Sequence, residues 1–293
     1  MAALVRGRIM QVLITGAAGK LGQILQSAWA DLSVIDFEPL WCSRQPASTC
    51  NVFWDILTGA APEIPKGAVI VHLAGILHGD KAAMAANTSM ALKVCHAAKV
   101  SGAAHVFLAS SAAVYGAGAH DHAEVEDPFP CSDYGRAKLH MELEALFWVQ
   151  KAGPDTPGLT CLRIGNVLGA DALFAAAKAG HSVVLDDVPG QRRGPIRSYI
   201  GPRAFAQVLV GLVDCVNRRE KLPKILNVAA SSPVHMADLL AAAEMPFHFG
   251  PPNADVIPKV SLSTKRLAAL LPVPQSDASA LVADWRGKKV AAP

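Results

Sequence analysis

Short apolar runs alternate with helix-length segments along the first 170 residues. "IMQVLIT" (9–15) is apolar throughout, the pattern of a strand covered on both faces, and residues 20–30 read as the helix after it. A second strand lies within "SVIDFEPLWCSR", in a register the pattern leaves open. "AVIVHLAG" (68–75) and "HVFLASS" (105–111) predict two further strands. Between them "MAANTSMALKVCHAAKVSG" (84–102) has helical apolar spacing and closes on Gly102, a common C-terminal signal. "SDYGRAKLHMELEALFWVQKAG" (132–153) predicts a long helix with Ser132 or Asp133 as its cap. "LTCLRIGNVLG" (159–169) adds a strand and a turn. Strands and helices taken in turn predict an α/β protein with a parallel sheet under helices.

Beyond residue 170 the order loosens. Loops rich in glycine, proline and arginine ("DDVPGQRRGPIRSYIGP") alternate with short helices near 203–217 and 235–244, and no internal repeat is present. The change of composition divides the chain into an N-terminal unit, 9–170, and a smaller lobe, 171–293, that is not expected to fold alone.

Composition narrows the function classes. Of 293 residues, 52% are hydrophobic and 17% charged, which gives a sizeable core and excludes a disordered chain. A net charge of +3, with no basic run carrying interleaved aromatics, predicts no nucleic-acid partner. No apolar stretch approaches the roughly 18 residues of a membrane span, so no membrane partner is expected. Six cysteines without CxxC or metal-ligand spacing read as reduced thiols of a cytoplasmic protein, and no metal site is expected. The opening apolar run leads straight into a glycine motif, so it reads as a first strand rather than a leader, with residues 1–8 a frayed extension.

That motif, "TGAAGKLG" (15–22), places Gly16, Gly19 and Gly22 between a strand and a helix, with Lys20 and Leu21 opening the helix. Glycines let the backbone approach a pyrophosphate, whose charge then faces the helix N-terminus. Strand-to-helix turns also use glycine for steric reasons alone, and the position within a strand–helix–strand unit is what points to a dinucleotide. The end of the second strand sets the choice of dinucleotide. If the strand is "PLWCS", Arg44 follows it and favours the 2′-phosphate of NADP. If it is "SVIDF", Asp36 fits the ribose hydroxyls of NAD. Either register fits the preceding helix, and the one ending before Arg44 is preferred, so NADP is slightly favoured over NAD.

Tyr134 and Lys138 are four positions apart and share a helix face. An ammonium beside a phenol favours the phenolate, which suits tyrosine to general acid/base work. Ser111 ends a strand in the same half of the chain, where ligands gather in open parallel sheets. Its hydroxyl is placed to hold a reacting oxygen beside the tyrosine.

"TGAAGKLG", "VIVHLAG", "FLASSAAVYG", "YGRAK" and "LRIGNVLG" together resemble the extended short-chain dehydrogenase/reductases, the NAD-dependent epimerase/dehydratase branch in particular. The resemblance implies a Rossmann doubly wound parallel sheet with a small C-terminal substrate-binding lobe. It implies Tyr134 as the acid/base, Lys138 on the nicotinamide ribose and Ser111 orienting substrate. Asp55 and its neighbour Ile56 match the position near the adenine, and Ala74 and Gly75 match the stretch lining the cofactor. Asn87 resembles the family's helix asparagine, although an ordinary helix residue fits there too. Asn166 and Arg197 match substrate contacts, Arg197 at the place that meets a diphosphate in nucleotide-sugar members. The small-molecule substrate implied is a sugar, nucleotide-sugar or related hydroxyl or carbonyl compound. Helices 84–101 and 134–151 imply a homodimer through a four-helix contact.

Two departures bear on the reaction. Ser111 is followed by Ala112 and Ala113, where dehydratases place proton-moving carboxylates. The pattern around Arg197 continues to Ala204, with Arg203 beside it, where an aspartate is usual. Arg192, Arg193, Arg197 and Arg203 form either an anion pocket or ordinary loop charges. A dinucleotide-binding redox sensor without turnover is the alternative to an enzyme.

Overall fold

The computed structural model describes residues 10–32, 37–46, 49–174, 182–191, 193–253, 255–275 and 277–287. In chain order the strands are β1 (Met10–Thr15), β2 (Phe37–Ser43), β3 (Val52–Phe53), β4 (Val69–His72), β5 (His105–Ser111), β6 (Asp121–His122), β7 (Gly158–Ile164) and β8 (Asn166–Val167). They continue as β9 (Val183–Asp187), β10 (Ile196–Arg197), β11 (Tyr199–Ile200), β12 (Ile225–Val228), β13 (Val234–His235), β14 (Phe247–Pro252) and β15 (Lys259–Leu262). The helices are α1 (Lys20–Ala30), α2 (Lys81–Ser101), α3 (Asp133–Lys151), α4 (Pro202–Asn217), α5 (Met236–Ala242), α6 (Lys265–Ala268) and α7 (Ala278–Trp285).

Seven parallel strands form the large sheet in the order β12-β7-β5-β4-β1-β2-β3. This is the doubly wound Rossmann arrangement, reversing direction between β1 and β4. Strand alternation sends successive side chains to opposite faces. Val12 and Ile14 accordingly join Leu25, Phe205 and Leu209 under α1 and α4. Leu13 instead joins Ile70, Val94 and Met141 under α2 and α3. Burial on both faces explains why β1 reads as a continuous apolar run. Each such side chain contributes about 1.5–3 kcal/mol relative to exposure.

The helix ends follow local chemistry. Asp80 accepts a hydrogen bond from the Ala83 N–H, so α2 starts at Lys81, earlier than the apolar spacing from residue 84 predicts. Gly102 ends it in the left-handed region (φ 71°), as expected. Of the two caps considered for α3, Ser132 is the one used, accepting from the Gly135 N–H at 3.0 Å.

The chain after residue 170 does not stay in the smaller lobe. Helix α4 packs on α1, and β12 pairs with β7, so both complete the large sheet. The rest joins β6 in a four-stranded sheet, β13-β10-β15-β6, and builds a separate cluster around Phe174, Leu185, Tyr199, Leu240 and Leu281. The second strand ends at Ser43, which leaves Arg44 exposed immediately beyond it. Asp36, the NAD alternative, lies outside the described residues.

Candidate active site

The glycine loop joins β1 to α1 at the carboxyl edge of the sheet. Gly16 has φ +75°, and a Cβ there would lie 2.5 Å from the Ala74 backbone nitrogen, so no side chain fits. Gly19 is different: a Cβ would meet only the Gly16 carbonyl, at 3.2 Å, and the surface above it is open. Gly19 is also the N-cap of α1 and supplies no side-chain bond. The first amides of α1 are thus left for another acceptor, which fits a pyrophosphate. Gly22 packs directly beneath the loop, while Lys20 is exposed and Leu21 partly buried.

The other expected cofactor residues follow β2, β3 and β4 or lie on α2 and α3. Asp55 accepts from the Leu57 and Thr58 amides, and its carboxyl is held below the usual range by Thr58, those amides and nearby Arg44. Ile56 is buried beside it. Ala74 covers Gly16. Gly75 leaves space for Lys138, whose Nζ would be 3.2 Å from a Cβ at that position. Asn87 is buried; its amide accepts from the Ile76 N–H and donates to the Ile76 and Met84 carbonyls. It holds the loop after β4 in place and has little amide capacity left for a ligand.

Ser111 ends β5, and its Oγ accepts from the Ala113 N–H. Tyr134, on the first turn of α3, comes near enough for the Ser111 hydroxyl to act on its phenol. The helix reaches Ser111 because residue 135 is glycine: a Cβ there would lie 2.3 Å from the Ala113 carbonyl oxygen. One turn further, Lys138 is buried, donates to the Ala109 carbonyl at 2.8 Å, and lies 5.9 Å from the Tyr134 ring centre. Burial pushes the Lys138 ammonium down to about 8, while Glu142 and Cys161 act the other way. Burial raises the Tyr134 phenol, opposed by the nearby Ser111 hydroxyl, so the depression expected from Lys138 does not prevail in the free protein.

Beneath this trio lies an ion pair that the sequence reading did not single out. Arg163 on β7 grips Glu142 on α3 through Nε and Nη2, the latter at 2.7 Å from Oε2, and both side chains are buried. Ser110 donates to the same carboxylate, and the guanidinium lies 4.7 Å over the Tyr115 ring. Glu142 is one helical turn from Lys138, and that spacing was the available signal. His72, hydrogen-bonded to Thr15 at 2.7 Å, is driven down to about 3 by burial and by Lys138.

The substrate-side residues divide. Asn166 on β8 pairs with the buried Tyr199 of β11. Arg197 donates to the Ile196 and Ile257 carbonyls at 2.8 and 2.9 Å. The arginines do not converge into an anion pocket. Arg193 pairs with Asp238 and Arg203 with Asp31, because each has a carboxylate closer at hand, while Arg192 lies outside the described residues. A cavity of about 300 Å³ in the lobe, with Leu173, Leu185, Pro195 and Met236 in its walls, includes none of the expected site residues.

A glycine loop, an uncapped helix start and a Ser–Tyr–Lys trio at one sheet edge define the class of dinucleotide-binding α/β proteins. Residues 12–184 match the NAD dependent epimerase/dehydratase family, more than half of the chain, and the protein belongs to that family. No curated protein matches the sequence significantly. Among solved structures, UDP-glucose-4-epimerase from Stenotrophomonas maltophila, with NAD and formylated UDP-arabinopyranose, is similar with a TM-score of 0.76. The identity is 20%, over 94% of this chain and 97% of that one. MoeE5 in complex with UDP-glucuronic acid and NAD is 19% identical over 94% of this chain and 99% of that one, with a TM-score of 0.73. TunA, an NAD dependent NDP-hexosamine 5,6-dehydratase of tunicamycin biosynthesis, is 16% identical over 96% and 99%, with a TM-score of 0.72. At these identities the likeness establishes the fold. Among the described residues no helix is long and apolar enough to cross a membrane.

Proposed function

We propose that this protein is a cytoplasmic NAD(P)-dependent epimerase or reductase of a sugar, nucleotide-sugar or related hydroxyl or carbonyl substrate. The observation that carries the reading is Tyr134 between Ser111 at the end of β5 and the buried Lys138, whose Nζ lies 5.9 Å from the Tyr134 ring centre. A nicotinamide dinucleotide, when bound, supplies the hydride donor and acceptor. Gly16, Gly19, Gly22 and the first amides of α1 hold its pyrophosphate, and Asp55 and Ile56 border its adenine. Ala74 and Gly75 line its path, Asn87 fixes that lining, and Lys138 is placed for the nicotinamide ribose. The NADP preference rests on Arg44 at the end of β2, whereas the similar structures named above carry NAD.

Tyr134 gives or takes the proton on the substrate oxygen while Ser111 fixes that oxygen. The positive charge of Lys138, present below about pH 8 in the free protein, favours the phenolate. Asn166 and Arg197 stand on the substrate side. Ala112 and Ala113 carry no proton and favour epimerisation or reduction over dehydration. The relatives bound to UDP sugars support a nucleotide-sugar substrate. The pairing of two copies through α2 and α3 is supported by Leu143 and Phe147, both more than half exposed on α3.

Tyr134→Phe tests the assignment. Turnover on a panel of UDP sugars falls about 10²–10⁴-fold while dinucleotide affinity, read by fluorescence titration, is unchanged. Undiminished turnover would overturn the catalytic role and leave the sensor reading.

A further inference from the structure

The segment between Tyr115 and α3 carries "HDHAEVE" (120–126), a His-x-His-x₃-Glu spacing that the dinucleotide chemistry does not use. Residues two apart in an extended segment project to the same side. His120 and His122 do so, while Asp121 turns away to Ser261 and to Lys259, 3.0 Å distant. A turn returns Glu126 to the two imidazoles. Its Oε2 lies 3.1 Å from His120 Nε2 and 2.8 Å from His122 Nδ1. All three donor atoms fall within 4.8 Å of one another.

We propose that His120 Nε2, His122 Nδ1 and Glu126 Oε2 form a binding site for a divalent first-row transition metal of the zinc type. Tetrahedral ligands at roughly 2.0–2.1 Å from a zinc ion stand about 3.3 Å apart, so the carboxylate backs off slightly from each imidazole and the exposed His120 ring adjusts to admit an ion. Two imidazoles and a carboxylate suit Zn²⁺ and its neighbours better than the harder Mg²⁺ or Ca²⁺.

Two of the three ligands are already held. His122 is buried, its ring stacks on Tyr115 at 4.8 Å and 5°, and its carbonyl accepts from Asn227 and Ser263. Glu126 is tied through Oε1 to the Ala123 N–H at 2.7 Å, which turns Oε2 toward the histidines. The other nitrogen of His122, Nε2, is buried without a partner. It can carry the ring proton while Nδ1 serves as the ligand. His120 is largely exposed and is the ligand that closes on the ion, leaving the fourth position to water. The ion would pin the loop between β5 and α3.

Chelator-stripped full-length protein, free of dinucleotide, is titrated with Zn²⁺ by calorimetry, and Co²⁺ absorption reports the coordination. The inference expects one site per chain and a rise in melting temperature with Zn²⁺. His120→Ala removes an exposed ring and leaves the fold intact. It should weaken binding by more than the roughly 10–100-fold that loss of a mere outer partner costs. Glu126→Gln should do the same, while Cys131→Ser, at the exposed thiol, should bind as the parent does. Absence of Zn²⁺ binding by the parent, equal binding by His120→Ala, or loss on Cys131→Ser would each overturn the site. None of these readouts depends on turnover.

Discussion

Two arginine–carboxylate forks, alike in chemistry, sit in opposite surroundings. Arg163 and Glu142 are 5% and 1% exposed beneath Tyr134 and Lys138, whereas Arg193 and Asp238 in the lobe are 61% and 32% exposed. Both arginines bond through Nε and Nη2. In the core, water cannot replace a lost partner, so removing one strands the other's charge. At the surface water and salt do replace it. The same fork therefore fixes α3 to the sheet in one place and merely decorates a loop in the other.

Glu142→Gln gives the largest expected effect. It leaves the Arg163 charge uncompensated and costs about 3–5 kcal/mol of unfolding free energy, measured by urea titration. A loss under 1 kcal/mol would erase the distinction between the two forks. Gly16→Ala comes next, through the main chain rather than through charge. The left-handed backbone costs about 1–2 kcal/mol, and the approach to Ala74 adds about 1–3 kcal/mol. Dinucleotide affinity should fall with it, and the two losses are separable by calorimetry. Asp238→Asn is the smallest: a stability change within about 1 kcal/mol, with cofactor affinity untouched. A large loss there would show that the exposed fork organises the lobe.

The contrast explains what the sequence discloses. The need for Gly135 comes from the distant Ala113 carbonyl, whereas Gly16, Gly19 and Gly22 fall within one strand-to-helix turn, so their spacing is visible along the chain. Tyr134 and Lys138 share one helix face for the same local reason, and Ser111 was legible as a strand end. Glu142 and Arg163 are 21 residues apart and meet only when α3 crosses β7, so nothing in their spacing announces the pair. The arginines of the lobe left two readings open for a related reason. Nearness in sequence suggested a shared pocket, but Asp238 and Asp31, distant in sequence, had already engaged two of them. His120, His122 and Glu126 were legible as a spacing, yet attention to the cysteines alone passed over them. The division at residue 170 followed composition, which does not register that α4 and β12 return to the large sheet.

That return governs how the protein is made. Strand β7 lies between β5 and β12, and its second neighbour begins at Ile225, 61 residues after Ile164. On the ribosome, the apolar strand "GLTCLRI" emerges well before the segment that will cover it and waits as a bare edge able to recruit another chain. A segment made much later therefore covers the edge of β7, and any truncation upstream of Ile225 leaves that edge open.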